Sequence, residues 1–66
     1  MIRPFGESAL LVELESADQA QALAASLRAD PPAGVLESVP GLASLLVELD
    51  PVTADQNLVA AAIRRG

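Results

Sequence analysis

The pentapeptide Leu-Leu-Val-Glu-Leu occurs twice in this chain, at residues 10–14 and 45–49. Both copies read with a period of two. In the first, Leu10, Val12 and Leu14 fall on one face and Leu11, Glu13 and Glu15 on the other; in the second, Leu45, Val47 and Leu49 oppose Leu46 and Glu48. Strict alternation of this kind is the pattern of a half-buried strand, whose successive side chains point to opposite sides. The settings match too. A glycine lies upstream of each copy (Gly6, Gly41), an acid follows directly (Glu15, Asp50), and a hydroxyl–Ala–Asp–Gln sequence comes next (16–19, 53–56).

The downstream sequences place helices. Ser16 with Gln19 forms a capping box, with Asp18 in the positive first turn. The helix predicted over 17–29 aligns Ala20, Leu23, Ala24 and Leu27 as an apolar stripe, and Pro31-Pro32 stops it. Thr53 with Gln56 repeats the box. A second helix then carries Val59, Ala62 and Ile63, flanked by Leu58, and ends at Arg64-Arg65-Gly66 with cations at its negative end. Residues 2–5 read as a short edge strand because Pro4 cannot donate to a ladder. Gly6 turns the chain; residues 34–39 form another strand, and Pro40-Gly41 marks a turn.

The predicted fold is therefore α+β, a single two-layer domain of order ββα-ββα. Its four-stranded, mainly antiparallel sheet carries two helices on one face. Against a true repeat stands the reading that Leu-Leu-Val-Glu-Leu is simply what a half-buried strand looks like in a leucine-rich chain. One detail resists the repeat: the apolar helix faces do not superimpose when the two capping boxes are aligned.

At 66 residues, such a domain buries only about 60% of the surface its unfolded chain exposes. The composition is 52% hydrophobic but 2% aromatic, with Phe5 alone, so Leu, Val and Ala must fill the core. Without cysteine there is no disulfide and no thiolate metal site. A domain this lean often gains stability from a partner, a second domain or a copy of itself. A net charge of -5 opposes binding to nucleic acid. No apolar run reaches the roughly 18 residues of a membrane helix, and the N-terminus lacks the layout of a signal peptide. A cytoplasmic domain is the expectation.

The chemistry on offer is narrow. The chain has no His, Cys, Lys or Tyr, which removes the usual general bases, a Ser–His pair and a Schiff-base amine. No catalytic, cofactor or metal residue is expected. Glu13 and Glu48 occupy equivalent strand positions and offer one exception, a carboxylate pair sharing a proton or a Mg²⁺; the simpler reading has both facing water. Gly6, Pro40 and Gly41 read as turn residues, since no phosphate-loop pattern surrounds the glycines. The strand face away from the helices is the candidate interaction surface. It would carry Leu11, Glu13, Leu46 and Glu48, apolar groups rimmed by charge, although isolated exposed leucines are ordinary.

Three stretches, "IRPFGESALLVELE", "PPAGVLESVPGLASLLVELDP" and the "TADQ" that opens the last helix, resemble the N-terminal domain of one family. It comprises the B-type subunit of 5-oxoprolinase, the kinase inhibitor KipI and allophanate hydrolase subunit 1. The matching positions are the turn Gly6-Glu7-Ser8-Ala9, then Gly34-Val35, Val39-Pro40-Gly41, Ser44-Leu45-Leu46-Val47 and Asp50-Pro51. Two sites depart from the pattern: Leu42 replaces an expected aromatic, and Glu48 and Leu49 stand where basic or aromatic residues are common. The resemblance implies a polypeptide that assembles with the KipA-like C-type subunit of 5-oxoprolinase, or with itself. The family complex opens 5-oxoproline to glutamate at the expense of ATP, and ATP belongs to that complex rather than to this chain. It also implies continuation into a longer cyclophilin-like domain, which nothing in these residues matches. Two other readings remain: a KipI-type regulatory domain inhibiting a sensor histidine kinase, and a free-standing dimerisation module.

Overall fold

The computed structural model describes residues 1–65. The order is β1 (Ile2–Pro4), β2 (Ala9–Glu13), α1 (Ala17–Ala29), β3 (Val35–Pro40), β4 (Ser44–Leu49) and α2 (Gln56–Arg65). The strands lie in the order β1-β2-β4-β3, and every neighbouring pair is antiparallel. The expected ββα-ββα sandwich is the observed fold, with the two Leu-Leu-Val-Glu-Leu segments as its central strands.

Register explains the repeated word. Leu11 of β2 pairs directly with Leu46 of β4, and the shift that carries Leu10 onto Leu45 also carries Leu11 onto Leu46. A pseudo-two-fold axis therefore pierces the sheet between these two leucines. The flanking hydrogen bonds obey it: Leu14 N–H donates to Ala43 O at 2.9 Å, and Leu49 N–H donates to Ser8 O at 2.8 Å. The outer strands follow, with Pro4 opposite Leu10 and Pro40 opposite Leu45. Both prolines sit on edge strands, where a missing donor leaves no ladder bond unmade.

Each unit's helix covers strands of the other. α1 packs on β3 and β4, and Arg28 donates to Ser38 O at 3.0 Å. α2 borders the first hairpin, where Gln56 Nε2 donates to Glu7 O at 3.3 Å. Neither ββα unit could bury its apolar face alone, so the two interlock. Leu10, Val12, Leu45, Val47 and Leu49 from the sheet meet Ala24 and Leu27 of α1 and Val59 and Ile63 of α2 in one core.

The first capping box forms, with a variation. Ser16 Oγ accepts from Gln19 N–H at 3.1 Å, while the Gln19 amide oxygen reaches one residue further back, to Glu15 N–H at 2.9 Å. The second box does not form. Thr53 lies in a turn whose amides are taken by the Asp50 carboxylate, which accepts from Val52 N–H at 2.8 Å and Thr53 N–H at 3.3 Å. The cap passes to Asp55, whose Oδ1 accepts from Asn57 N–H at 2.9 Å and Leu58 N–H at 3.3 Å. Leu58 consequently faces solvent, 69% exposed, rather than flanking the buried stripe. This shift also resolves the helix mismatch. With Ser16 aligned on Asp55, buried Ala20 and Ala24 coincide with buried Val59 and Ile63, and half-buried Leu23 with half-buried Ala62. The repeat extends through the helices once the true caps are used. Arg64 and Arg65 occupy the last turn of α2 as expected; the glycine stop at position 66 lies outside the described residues.

The Asp50 turn has a pH signature. Hydrogen bonds from the backbone of Val52, then of Thr53, hold its carboxyl below the ordinary value of 3.8. A carboxyl depressed in the folded state stabilises above its unfolded pKa, and that contribution is lost as pH falls through the lower folded value. The Val52 and Thr53 amide resonances should therefore titrate together with a midpoint below 3.8. A titration midpoint above that value would contradict the assignment.

Candidate functional site

Both helices lie on one side of the sheet, so the other side is open. Across it, antiparallel register builds continuous rows. The central row runs Arg3, Leu11, Leu46, Val39 through all four strands. Leu11 and Leu46 are half-buried, and Val39 is 47% exposed. A second row runs Ala9, Glu48, Glu37. Phe5 extends it: its N–H donates to Ala9 O at 2.9 Å, alternation from Arg3 puts it on the open side, and it is 57% exposed. On the other flank Glu13 is opposite Ser44, and its main chain exchanges hydrogen bonds with Met1 at 2.7 and 2.9 Å.

The four residues singled out from the alternation, Leu11, Glu13, Leu46 and Glu48, thus share the open face, but the two acids do not meet. The pseudo-two-fold that joins Leu11 to Leu46 throws Glu13 and Glu48 to opposite ends of the central pair. Glu48 stands opposite Ala9, which is roughly 13 Å along β2 from Glu13 at the usual rise of an antiparallel strand. A shared proton or bridging Mg²⁺ between them has no geometric basis. Glu13 is instead bound by Arg3 at 2.7 Å, an exposed pair of the kind that contributes about 0–1 kcal/mol. The carboxylate that faces Glu48 is Glu37.

Sequence alternation did not find Glu37, Val39 or Phe5. A bulge between Val35 and Glu37 puts these two same-parity residues on opposite faces, Val35 against the core and Glu37 outside. The readable signal was a glutamate at the parity of Val35 and Val39. Of the turn residues, Gly6 has φ +73° and needs glycine for that reason. Gly41 follows Pro40 into the second hairpin, where its N–H donates to Ser44 O at 2.8 Å. Gly41 has no positive φ; a Cβ there would come within 2.7 Å of Ser44 Oγ, a hydroxyl that one χ1 rotation moves aside.

The helix side has its own opening. Where α1 and α2 diverge, a cleft of about 660 Å³ is walled by Met1, Ile2, Leu14, Leu23 and Ile63, with Gln19 and Arg64 among its polar residues. No described helix is long and apolar enough to cross a membrane.

The family described as carboxyltransferase domain, subdomain C and D, matches this chain over residues 1–66. The chain belongs to that family. Among solved structures, this carboxyltransferase subdomain is similar to the conserved uncharacterized protein PH0987 from Pyrococcus horikoshii. The two share 32% identity and superpose with a TM-score of 0.83 over 98% of this chain and 33% of that one. The subdomain thus spans about a third of the length of that solved relative. No curated protein matches it.

Proposed function

We propose that this domain is the non-catalytic N-terminal module of a protein like the B-type subunit of 5-oxoprolinase. Its role is to join the KipA-like C-type subunit in ATP-dependent opening of 5-oxoproline. Membership of the carboxyltransferase subdomain family and the turn and strand motifs around Gly6, Gly34 and Gly41 support this reading. A chain without His, Cys, Lys or Tyr is suited to positioning other parts rather than to proton or acyl transfer.

The observation that carries the assembly role is the Leu11–Leu46 pair at the centre of a sheet face that no helix covers. Two adjacent leucines on an open face, ringed by charge, are the make-up of a contact patch. Leu11→Asp or Leu46→Asp is expected to weaken association with the KipA-like protein at least tenfold, equivalent to about 1.4 kcal/mol. Size-exclusion chromatography of the mixed proteins measures this, and circular dichroism checks that the fold persists. Leu46→Thr serves as a milder variant that suits a strand. Unchanged co-elution of folded variants would remove this face from the assembly, and capture of a sensor kinase in place of the KipA-like protein would assign the chain to the inhibitor branch.

A further inference from the structure

We infer that the open face receives a basic segment of the partner, seating a Lys or Arg side chain against Glu37 and Glu48 with Phe5, Leu11, Leu46 and Val39 as its apolar surround. This rests on the assembly reading and adds the chemistry of the surface that docks.

Glu37 and Glu48 are directly opposed across β3 and β4, and both are exposed. Residues so placed have Cβ atoms about 5 Å apart, and like charges there repel. Nothing in the described residues relieves them. Among those residues the one salt bridge is Arg3–Glu13. Arg28 donates to Ser38 O from α1, and Arg64 and Arg65 sit in the last turn of α2, in the opposite layer. An unrelieved acid pair beside an apolar row is a disadvantage in an isolated sheet and an asset once a cation arrives.

The same row supplies a notch. Small Ala9 lies between Phe5 and Glu48, with Glu37 beyond. A guanidinium or ammonium entering over Ala9 would have an aromatic wall on one side and a carboxylate on the other, and aromatic rings within about 6 Å attract cations. Phe5 is the sole aromatic of the chain and is exposed, which fits the aromatic anchors that dominate interface energetics. A second copy is a poor occupant. The face sets Glu13, Glu37 and Glu48 against Arg3 alone, and the chain carries -5 overall, so two such faces repel.

The test compares wild type, Glu37→Gln, Glu48→Gln and the double variant, with the purified KipA-like protein as the probe. Removing the repulsion should leave the free chain's Tm unchanged or raise it, while affinity for the KipA-like protein falls at least tenfold in the double variant. Wild-type affinity should also drop as salt rises, and that dependence should flatten in the double variant. Phe5→Ala, a change at an exposed site, should weaken binding in the same assay. If wild type binds and Leu11→Asp abolishes binding while both glutamines leave it intact, the inference fails and the assembly reading stands. If wild type does not bind the KipA-like protein, both fail. Self-association of the chain through this face would likewise overturn the inference.

Discussion

Leu45→Ala is expected to lower the unfolding free energy by about 3 kcal/mol, and the neighbouring Leu46→Ala by less than about 1 kcal/mol. The residues are identical and adjacent, so only the face differs. Leu45 is 0% exposed, sits in a central strand opposite Val12 and Pro40, and belongs to the one core found among the described residues. With a single Phe in the chain, no large ring is available to collapse into the space left by a missing isobutyl group. Leu46 stands on the open side, half-buried by its strand neighbours. A chain of this size has a total stability of only about 3–10 kcal/mol, so Leu45→Ala should leave a marginal fold and Leu46→Ala a normal one. Urea denaturation followed by circular dichroism gives both values, and equal losses would mean the faces have been assigned wrongly.

Gly34→Ala should be nearly as damaging although it adds only a methyl group to a loop. Gly34 is the third residue of the turn closed by Val35 N–H to Pro32 O at 3.1 Å, and its φ of +90° is what a type II turn demands there. An alanine held in the left-handed region costs about 1–2 kcal/mol. Space compounds the strain. A Cβ on Gly34 would approach the Cβ of Ala54 to 2.6 Å and its Cα to 2.7 Å, so backbone must move, at a further cost of about 1–3 kcal/mol. The backbone that must give is tied down, because Gly34 O accepts from Asp50 N–H at 2.8 Å and Ala54 N–H donates to Asp50 O at 3.0 Å. The combined loss of about 3 kcal/mol corresponds to a Tm drop on the order of 15 °C for a domain this small. Gly6→Ala, with a similar φ but nothing within 4 Å of the added Cβ, should show only the strain component. A thermal melt that ranks the two equally would show that the contact with Ala54 yields freely.

These cases mark where the sequence could be read and where it could not. α1 ran over 17–29 as expected because its cap, stripe and stop all lie within the segment itself. Thr53 offered the same signature as Ser16 and lost. Asp50, three residues earlier, had already captured the turn amides, and Asp55 was a ready cap downstream. Local chemistry presented two solutions, and packing of Val59 and Ile63 onto the sheet fits the second. In β3, simple alternation would put Val35, Glu37 and Val39 on one face, whereas the bulge at Leu36 turns Val35 to the core and leaves Glu37 and Val39 on the open side.

From its letters alone, the chain determined that it would form two aliphatic strands handing over to two helices, which side of each central strand would be buried, and that no side-chain imidazole, thiol, amine or phenol would be present. Periodicity and composition are local properties, and burying one face of a ribbon requires no knowledge of its partner. Tertiary structure alone decided that Leu11 meets Leu46, that Glu13 and Glu48 part while Glu37 and Glu48 oppose, and that Phe5 joins the same face. Those outcomes depend on strand order, register and a single inserted residue. They are set by hydrogen-bond ladders between segments far apart in the chain, where a one-residue slip moves every side chain to the other side.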